Sequence, residues 1–287
     1  MKFNFIFFCL MSLSSIIFCQ DIKCESTIDY GNNAEHGNYA SVNGIKMYYE
    51  TYGDKKNQPL LLIHGNGGSV KYARCQIEAF KEDYYVIITD SRAQGKSEMG
   101  SQELNYRLMT SDYNELLNHL NLESVDIIGQ SDGGIIGLLL AIEYPEKVHK
   151  LITVAPNLRA DTTAFYDFNL EDKMAKVKAI EAEIAKGENI EELKKKKALT
   201  ELMIKYPNIS LEELKTIEAP TLVIFGDSDY MTFQHMEEIY KNIPKAHLFV
   251  VPGAGHRAYR LEPEIFNMMC KRFLENPFTR PNARDGY

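Results

Sequence analysis

The chain has 287 residues, of which 45% are hydrophobic and 25% are charged. This balance is typical of a globular protein and excludes a disordered chain, a collagen-like repeat and a polytopic membrane protein. The formal net charge of −8 disfavours an extended nucleic-acid-binding face, because such a face requires clustered cations.

The first nineteen residues have the pattern of a secretory signal. Lys2 supplies a positive start, and residues 5–18 contain no charge. This run is too short to span a bilayer comfortably, but it suits the apolar region of a signal peptide. We therefore expect residues 1–19 to be removed on export, leaving a secreted or periplasmic protein without an integral membrane span. A lipid anchor on Cys19 is the alternative, although residues 16–18 lack the small residues typical of a lipoprotein signal.

Three cysteines would remain after this cleavage: Cys24, Cys75 and Cys270. Their spacing indicates neither a zinc site nor a disulfide framework, so we expect core or incidental thiols. A single bridge is the alternative in an oxidising compartment. Residues 20–37 are mostly polar and contain Gly and Asn, which predicts a flexible lead-in.

Regular structure is predicted from residue 38 onward. Asn43-Gly44 joins two β-prone runs, which predicts an antiparallel hairpin. Short apolar runs then alternate with helical patterns. The further strands are predicted at 60–63, 84–89, 125–128, 151–155, 221–225 and 248–251, and the helices at 70–80, 112–120 (capped by Ser111 or Asp112), 131–144 and 263–274. Strands that are apolar on both faces and separated by helices form a parallel sheet covered on both sides. The fold class is therefore α/β, a mostly parallel doubly wound sheet that opens with the hairpin.

One long interval, residues 156–218, contains no buried strand. Apolar residues recur there at helical spacing, as at Val177, Ile180 and Ile184. We interpret this interval as a helical cap packed over one end of the sheet, inserted into a core formed by residues 38–155 and 219–287.

The strongest local signal is residues 129–134, Gly-Gln-Ser-Asp-Gly-Gly. This segment satisfies G-x-S-x-G between a predicted strand and a predicted helix, the context that the motif requires. A serine on so sharp a turn is strained, and only glycines fit beside it. The helix that begins there directs its amide dipoles at a reacting oxygen. Ser131 is therefore the candidate nucleophile.

A serine hydroxyl needs a base to remove its proton, and the base in turn needs an orienting acid. His256 lies on a Gly-rich loop directly after the last predicted strand. Asp229 follows the preceding strand and is the favoured acid, with Asp227 as the alternative. All three candidates lie beyond the carboxyl ends of parallel strands, where open α/β sheets build their sites.

An acyl-transfer site also needs N–H donors for the oxyanion. The first is expected to be the backbone N–H of Asp132, the residue after the nucleophile. The second is expected from the Gly-rich loop 64–69, where we assign the N–H of Asn66, with that of Gly67 as the alternative. His64 is expected to hold this loop through hydrogen bonds.

These motifs together resemble the α/β-hydrolase superfamily, from residue 38 to the C-terminal helix. The match looks like the capped branch that contains small esterases, lactonases, epoxide hydrolases, haloalkane dehalogenases and carbon–carbon bond hydrolases. His64-Gly65 resembles its oxyanion loop, and residues 226–229 and 253–256 resemble its acid and base motifs. Residues 90–97 resemble its D-x-R-G-x-G-x-S turn, with Ala93 where glycine is usual. Epoxide hydrolases and dehalogenases of this branch use an Asp nucleophile, so Ser131 disfavours both activities.

The resemblance implies a serine hydrolase that cleaves a small carboxylic ester, thioester, lactone or amide through an acyl-enzyme on Ser131. The expected partner is a small-molecule acyl substrate, and no metal or organic cofactor is implied. A carbon–carbon bond hydrolase or a perhydrolase with the same triad is one alternative. A non-catalytic scaffold that binds a ligand or a protein is the other. The sequence predicts no oligomeric state.

Two groups of side chains near these motifs allow two interpretations each. The Asp132 carboxylate either pairs with a substrate ammonium group or points into a polar network behind the nucleophile, and the second interpretation is favoured. Phe165, Tyr166 and Phe168 either line the substrate pocket or form a packed aromatic patch, and again the second is favoured.

Overall fold

The computed structural model describes Cys24 and residues 26–280, so the predicted signal sequence lies outside the described residues. Strands of this part of the chain form one mixed sheet. They are β1 (Gly37–Val42), β2 (Ile45–Tyr52), β3 (Pro59–Ile63), β4 (Tyr85–Thr89), β5 (Val125–Gln130), β6 (Val148–Val154), β7 (Thr221–Gly226) and β8 (Ala246–Val251). Their spatial order is β1-β2-β4-β3-β5-β6-β7-β8. The β1–β2 and β2–β4 pairs are antiparallel and the remaining pairs are parallel, which confirms the predicted sheet.

Helices cover the sheet. The α-helices of the described residues are α1 (Arg74–Phe80), α2 (Tyr106–His119), α3 (Asp132–Glu143), α4 (Leu170–Ala185), α5 (Ile190–Lys205), α6 (Leu211–Leu214), α7 (Phe233–Asn242), α8 (Ala258–Leu261) and α9 (Pro263–Glu275). Short 3₁₀ turns occur at Val70–Ala73 and Pro145–Lys147. None of these helices is long and apolar enough to cross a bilayer.

The apolar core lies on both faces of the sheet, as the continuous apolar runs predict. In β3, Leu61 and Ile63 pack into one buried cluster, whereas Leu60 and Leu62 pack into the other. Successive side chains of a strand point to opposite faces, so every position of a strand covered on both sides is apolar. This packing leaves the carboxyl ends of the parallel strands at one rim.

Helix α2 begins six residues earlier than the predicted start at residue 112. Its N-cap is Asn105, whose side-chain oxygen accepts the backbone N–H of Leu108 at 2.8 Å. Both predicted cap residues, Ser111 and Asp112, lie inside the helix, and Asp112 is fully buried. Its carboxylate accepts two hydrogen bonds of 2.6 Å from the Arg92 guanidinium, so an ion pair explains its position, not a helix cap.

The interval 156–218 contains α4, α5 and α6 and no strand of the sheet. Helices α4 and α5 pack against each other. Their residues Lys173 and Met203 line the same cavity as Ser131, so the two helices lie above the end of β5. We refer to this interval below as the cap.

The segment before β1 is packed onto the core, which differs from the flexible lead-in expected for residues 20–37. The Tyr30 side chain is buried. The Glu50 carboxylate is fully buried and accepts the backbone N–H groups of Gly31 and Asn33 at 3.1 and 3.3 Å. A buried carboxylate is costly unless it is hydrogen-bonded, so these contacts hold the segment in place.

Cys24 and Cys75 form a disulfide between the lead-in and α1. The expectation of three core or incidental thiols is therefore wrong for two of them. Cys270 remains a free, buried thiol. The bridge depends on where the lead-in packs, and the cysteine spacing of 51 residues gives no sign of it.

Candidate active site

Ser131 lies on a sharp turn between β5 and α3. Its backbone has φ +54° and ψ −115°. The Ser131 N–H donates to the Val154 carbonyl at 2.8 Å, and its own carbonyl accepts the Ile135 N–H at 2.9 Å. A Cβ at Gly129 would lie 2.1 Å from the Gly133 carbonyl oxygen, so the turn closes only with glycine at 129. The motif therefore has the backbone geometry that its sequence predicts.

His256 and Asp229 meet Ser131 at the same rim of the sheet. The His256 Nε2 atom lies 3.0 Å from Ser131 Oγ. On the other side of the ring, Nδ1 lies 3.2 and 3.3 Å from the two Asp229 carboxylate oxygens. The Asp229 side chain is fully buried, and the His256 side chain is 16% exposed. The three residues come from the ends of β5, β7 and β8 and form one hydrogen-bonded series.

Asp227, the alternative acid, lies away from this series. Its Oδ1 atom accepts the Gly253 N–H at 2.9 Å and the Ser228 hydroxyl at 3.1 Å. Asp227 therefore joins two neighbouring turns at the surface.

The loop after β3 lies beside Ser131 and is held from behind. The His64 Nε2 atom accepts the Ser91 N–H at 3.0 Å, which leaves Nδ1 to donate to the Gly65 carbonyl at 2.7 Å. Burial lowers the pKa of His64, in keeping with this neutral form. The structure thus bears out the expected loop-holding hydrogen bonds of His64.

The two N–H groups considered for the second oxyanion donor differ in their partners. The Gly67 N–H donates to Gln94 Oε1 at 2.6 Å, so it is already used. The Asn66 N–H has no acceptor within hydrogen-bonding distance among the described residues. The Asp132 N–H belongs to the first turn of α3, where backbone donors lack a partner within the helix. Asn66 and Asp132 therefore offer the free donors near Ser131.

The Asp132 carboxylate lies between Tyr106 and the Asn66 side chain. It is buried, and it accepts the Tyr106 hydroxyl at 2.8 Å and the Asn66 side-chain amide at 2.9 Å. Burial raises the pKa of Asp132, and the two hydrogen bonds and the nearby His256 oppose that rise. The carboxylate thus lies in the polar network that the sequence favours.

Two cavities meet at Ser131. The first, which we call the cap cavity, has a volume of about 200 Å³. Its walls are Tyr106, Ser131, Asp132, Asn157, Phe165, Asp167, Phe168, Lys173, Met203, Tyr206 and Tyr230. The second, which we call the loop cavity, has a volume of about 410 Å³. Its walls are residues 64–68, Tyr72, Gln130, Ser131, Met203, Tyr230, His256, Arg257, Tyr259 and Arg260. The candidate nucleophile is thus reached from two sides.

The aromatic residues at the start of the cap do not form only a packed patch. Phe165 and Phe168 stack with ring centroids 6.0 Å apart, and both line the cap cavity. Tyr166 is 63% exposed and does not line it. Phe165 is placed by an isolated β-bridge to Met231, directly beyond the loop that carries Asp229. The packed patch that the sequence favours is therefore present for the two phenylalanines, and the contact between distant segments also places them in the cavity wall.

Sequence reasoning missed Tyr230, Tyr106 and Gln94. The Tyr230 ring lies 4.3 Å from the His256 ring, centroid to centroid, and Tyr230 lines both cavities. Tyr230 directly follows the favoured acid, which was the available signal. Tyr106 and Gln94 act through hydrogen bonds to Asp132 and to the loop after β3, and no local pattern marks either of them.

Comparison with known proteins shows what the chain is similar to. A family model for the alpha/beta hydrolase fold matches residues 58–179. A Haemophilus influenzae protein named "Putative esterase/lipase" is 29% identical over 247 residues, which cover 76% of this chain and 84% of that protein. An Azorhizobium caulinodans protein named "Putative carbamate hydrolase RutD" is 27% identical over 259 residues, 82% of this chain and 97% of that protein.

A solved structure agrees with this assignment at the level of the fold. The crystal structure of a hydrolase from Pseudomonas aeruginosa superposes with a TM-score of 0.70 and 21% identity, and the match covers 85% of this chain and all of that one. The family model, the relatives and the sheet order agree. The chain therefore has the α/β-hydrolase fold, and its relatives support a hydrolase of that fold.

Proposed function

We propose that this hydrolase is a serine esterase that cleaves small carboxylic esters through an acyl-enzyme on Ser131. The observation that carries the proposal is the series Ser131 Oγ, His256 Nε2 at 3.0 Å, and Asp229 at 3.2 Å from the other ring nitrogen. A nucleophile, a base within hydrogen-bonding distance and an acid that orients the base are the parts that acyl transfer requires.

In the proposed mechanism, His256 removes the Ser131 hydroxyl proton as Oγ attacks the carbonyl carbon. The oxyanion accepts hydrogen bonds from the backbone N–H groups of Asn66 and Asp132. Asp229 stabilises the imidazolium that forms. The tetrahedral intermediate then breaks its bond to the leaving group, which takes the proton from His256. Water repeats the same steps on the acyl-enzyme and releases the acid.

The cap cavity supports a small acyl group. Its volume of about 200 Å³ is below the range usual for pockets that hold drug-sized ligands. Phe165, Phe168 and Met203 give it apolar walls. Acetyl and butyryl esters are therefore the first substrates to test, with thioesters, lactones and amides of similar size after them.

Secretion is part of the proposal. The Cys24–Cys75 disulfide supports it, because disulfides persist mainly in oxidising compartments. The mass of the mature N-terminus tests secretion. A chain that begins at Gln20 supports signal cleavage and release. A lipidated Cys19 contradicts release, and an uncleaved Met1 contradicts signal removal.

The decisive experiment replaces the nucleophile. Ser131→Ala is expected to lower kcat for 4-nitrophenyl acetate and butyrate by roughly 10⁴-fold or more, because the acyl-enzyme cannot form. Ser228→Ala, a change of the same type at an exposed serine of the neighbouring loop, is the matched control and should keep wild-type rates.

Two further measurements separate the alternatives. A fluorophosphonate probe should label the wild type and the Ser228→Ala variant but not the Ser131→Ala variant, whereas a pure binding scaffold would stay unlabelled. A panel of 1,5-diketones should be cleaved far more slowly than the esters. Ester hydrolysis that survives Ser131→Ala would refute the serine mechanism.

A further inference from the structure

The two cavities that meet at Ser131 differ in charge. Arg257 and Arg260 line the loop cavity, and no carboxylate lines it among the described residues. The cap cavity contains the carboxylates of Asp132 and Asp167 and the ammonium group of Lys173. Because the whole chain carries a net charge of −8, the two arginines are a local feature and not part of a generally basic surface.

The arginines have no ion-pair partner within the described part of the chain, and one of them is held in place by an aromatic ring. The Arg260 guanidinium lies 4.9 Å from the centroid of the Tyr72 ring, which also lines the loop cavity. Stacking of this kind holds a guanidinium while leaving its N–H donors free. Burial raises the pKa of Tyr259, and both cations oppose that rise, Arg260 also through a hydrogen bond to the Tyr259 hydroxyl. A guanidinium has five N–H donors, so both arginines keep donors for a ligand in the loop cavity.

The position of His256 indicates which half of an ester enters the loop cavity. His256 lines the loop cavity and does not line the cap cavity. In acyl transfer the imidazolium gives its proton to the leaving-group oxygen, so the leaving group must lie on the imidazole side. The alcohol half of the ester therefore belongs in the loop cavity, and the acyl half belongs in the cap cavity.

We infer that the preferred substrates are esters of small acyl groups whose alcohol half carries an anionic group, a carboxylate or a phosphate, bound by Arg257 and Arg260. Guanidinium groups bind both anions through paired N–H donors. This inference rests on the proposed function of Ser131, and it adds a substrate class and two specificity residues to that function.

The test compares two esters that share the acyl group and differ at one position of the leaving group, where one has a carboxylate and the other its methyl ester. They are 3-acetoxy-4-nitrobenzoate and its neutral methyl ester, which share the acetyl group and release similar coloured phenols. Wild-type kcat/KM is expected to be roughly 10-fold or more higher for the carboxylate. In the Arg257→Gln/Arg260→Gln double variant, this ratio should fall to near one. The ratio does not depend on the fraction of folded protein, because both esters are measured on one preparation.

Arg272→Gln is the matched control. It removes the same charge from an exposed arginine of α9 that does not line either cavity around Ser131, and it should keep the wild-type ratio. A second pair of esters places the anion on the acyl half instead: mono(4-nitrophenyl) succinate and its methyl ester. The inference predicts no preference for the anion in this pair.

Each contrary result has a distinct meaning. A wild-type ratio near one for the nitrobenzoate pair, with hydrolysis still dependent on Ser131, would overturn the inference and leave the proposed function intact. A preference for the succinate anion that disappears in Lys173→Gln would also overturn it, by placing the anion in the cap cavity. Absence of Ser131-dependent hydrolysis of every ester would overturn the proposed function and the inference with it.

Discussion

At Ser131 the φ of +54° lies in a region that residues other than glycine rarely adopt. Such a conformation costs of order 1–3 kcal/mol and persists only where neighbouring contacts hold it. Here the hydrogen bonds from Ser131 to β6 and from Ile135 to Ser131 provide that hold. Ala93 has φ +66°, which explains why glycine is usual at this position in the family that the chain resembles.

The two candidate acids can be separated by matched amide substitutions. Asp229→Asn is expected to lower kcat by roughly 10³–10⁴-fold, because an amide cannot stabilise the imidazolium or hold the reactive tautomer. Asp227→Asn keeps an oxygen acceptor for the Gly253 N–H and should stay within about twofold of wild type. Steady-state rates on 4-nitrophenyl butyrate give the comparison. Equal losses in the two variants would contradict the assignment of Asp229.

The Asp132 side chain is predicted to position the oxyanion donors. Asp132→Ala leaves the Tyr106 hydroxyl and the Asn66 amide without their acceptor, which should cost about 1–3 kcal/mol in the free energy of unfolding. The loop that carries the Asn66 N–H is then free to shift, so kcat should fall roughly 10- to 100-fold with a smaller change in KM.

Asp132→Asn is the conservative control for this position. It keeps one acceptor oxygen, and the Tyr106 hydroxyl can accept from its amide, so most of the activity should return. An unchanged kcat in Asp132→Ala would show that the backbone alone sets the position of the donors.

At the level of elements, two loops that carry the proposed acid and base approach each other through Gly226, the last residue of β7. A Cβ there would lie 2.0 Å from the Ala254 carbonyl oxygen. The same carbonyl accepts the Ser228 N–H at 3.0 Å. The absence of a side chain at Gly226 therefore allows the loop ends of β7 and β8 to pack together.

Gly226→Ala is expected to separate these loops. It should lower the free energy of unfolding by about 1–3 kcal/mol, as overpacking of a filled site does. Displacement of His256 relative to Asp229 should also lower kcat, by about 10²-fold for a shift near 1 Å. At Gly255 a Cβ would meet its nearest neighbour, the Ser228 carbonyl oxygen, only at 3.4 Å, so Gly255→Ala is the tolerated control. Urea unfolding and ester hydrolysis measured on both variants test this difference.

The cap and the loop after β7 form a second coupled pair of elements. The Tyr166 N–H donates to the Tyr230 carbonyl at 3.1 Å, and the Thr232 N–H donates to the Ala164 carbonyl at 2.9 Å. These bonds join the start of the cap to the residues that follow Asp229. The aromatic wall of the cap cavity and the proposed acid are therefore positioned by one short antiparallel contact.

For the whole molecule, buried histidines predict a loss of stability in mild acid. His235 is fully buried and its Nε2 atom accepts the Leu158 N–H at 3.0 Å. Burial and the nearby Arg159 lower its pKa to about 4, although Glu238 and Asp161 oppose this. The unfolded chain has a histidine pKa near 6.5, so between pH 6.5 and 4 it binds a proton that the folded protein does not. The free energy of unfolding therefore falls as pH falls through this window, by roughly 3 kcal/mol for His235.

Comparison of variants isolates this contribution. His64 acts in the same direction because burial lowers its pKa too, whereas the raised pKa values of buried Asp112 and Asp126 act in the opposite one. Urea unfolding at pH 7 and at pH 4.5 should show a smaller loss in His235→Gln than in wild type, because glutamine does not take up a proton in this range. The glutamine oxygen can still accept the Leu158 N–H, which keeps the buried hydrogen bond. His119→Gln, at an exposed position of α2, should lose as much as wild type. Equal losses in all three proteins would contradict the assignment.

Much of the molecule follows from local residue order. The apolar runs predicted the parallel strands, Asn43-Gly44 predicted the hairpin, and the residues around Ser131 predicted its strained turn, because backbone preference and side-chain burial act over a few neighbouring residues. The same order placed Ser131, Asp229 and His256 after strands whose ends share one rim. The signal peptide and the catalytic roles remain predictions.

Other features depend on atoms that meet across long stretches of chain. The sequence favours Asp229 over Asp227, but the path of the loop after β8 is what brings the Asp229 carboxylate to 3.2 Å from His256. The Cys24–Cys75 bridge, the bond from Gly67 to Gln94 and the gathering of Arg257 and Arg260 in one cavity have the same origin. A hydrogen bond or ion contact forms only when the distance between its two atoms is correct to within a few tenths of an ångström. The packing of whole elements sets these distances, and no short run of residues encodes them.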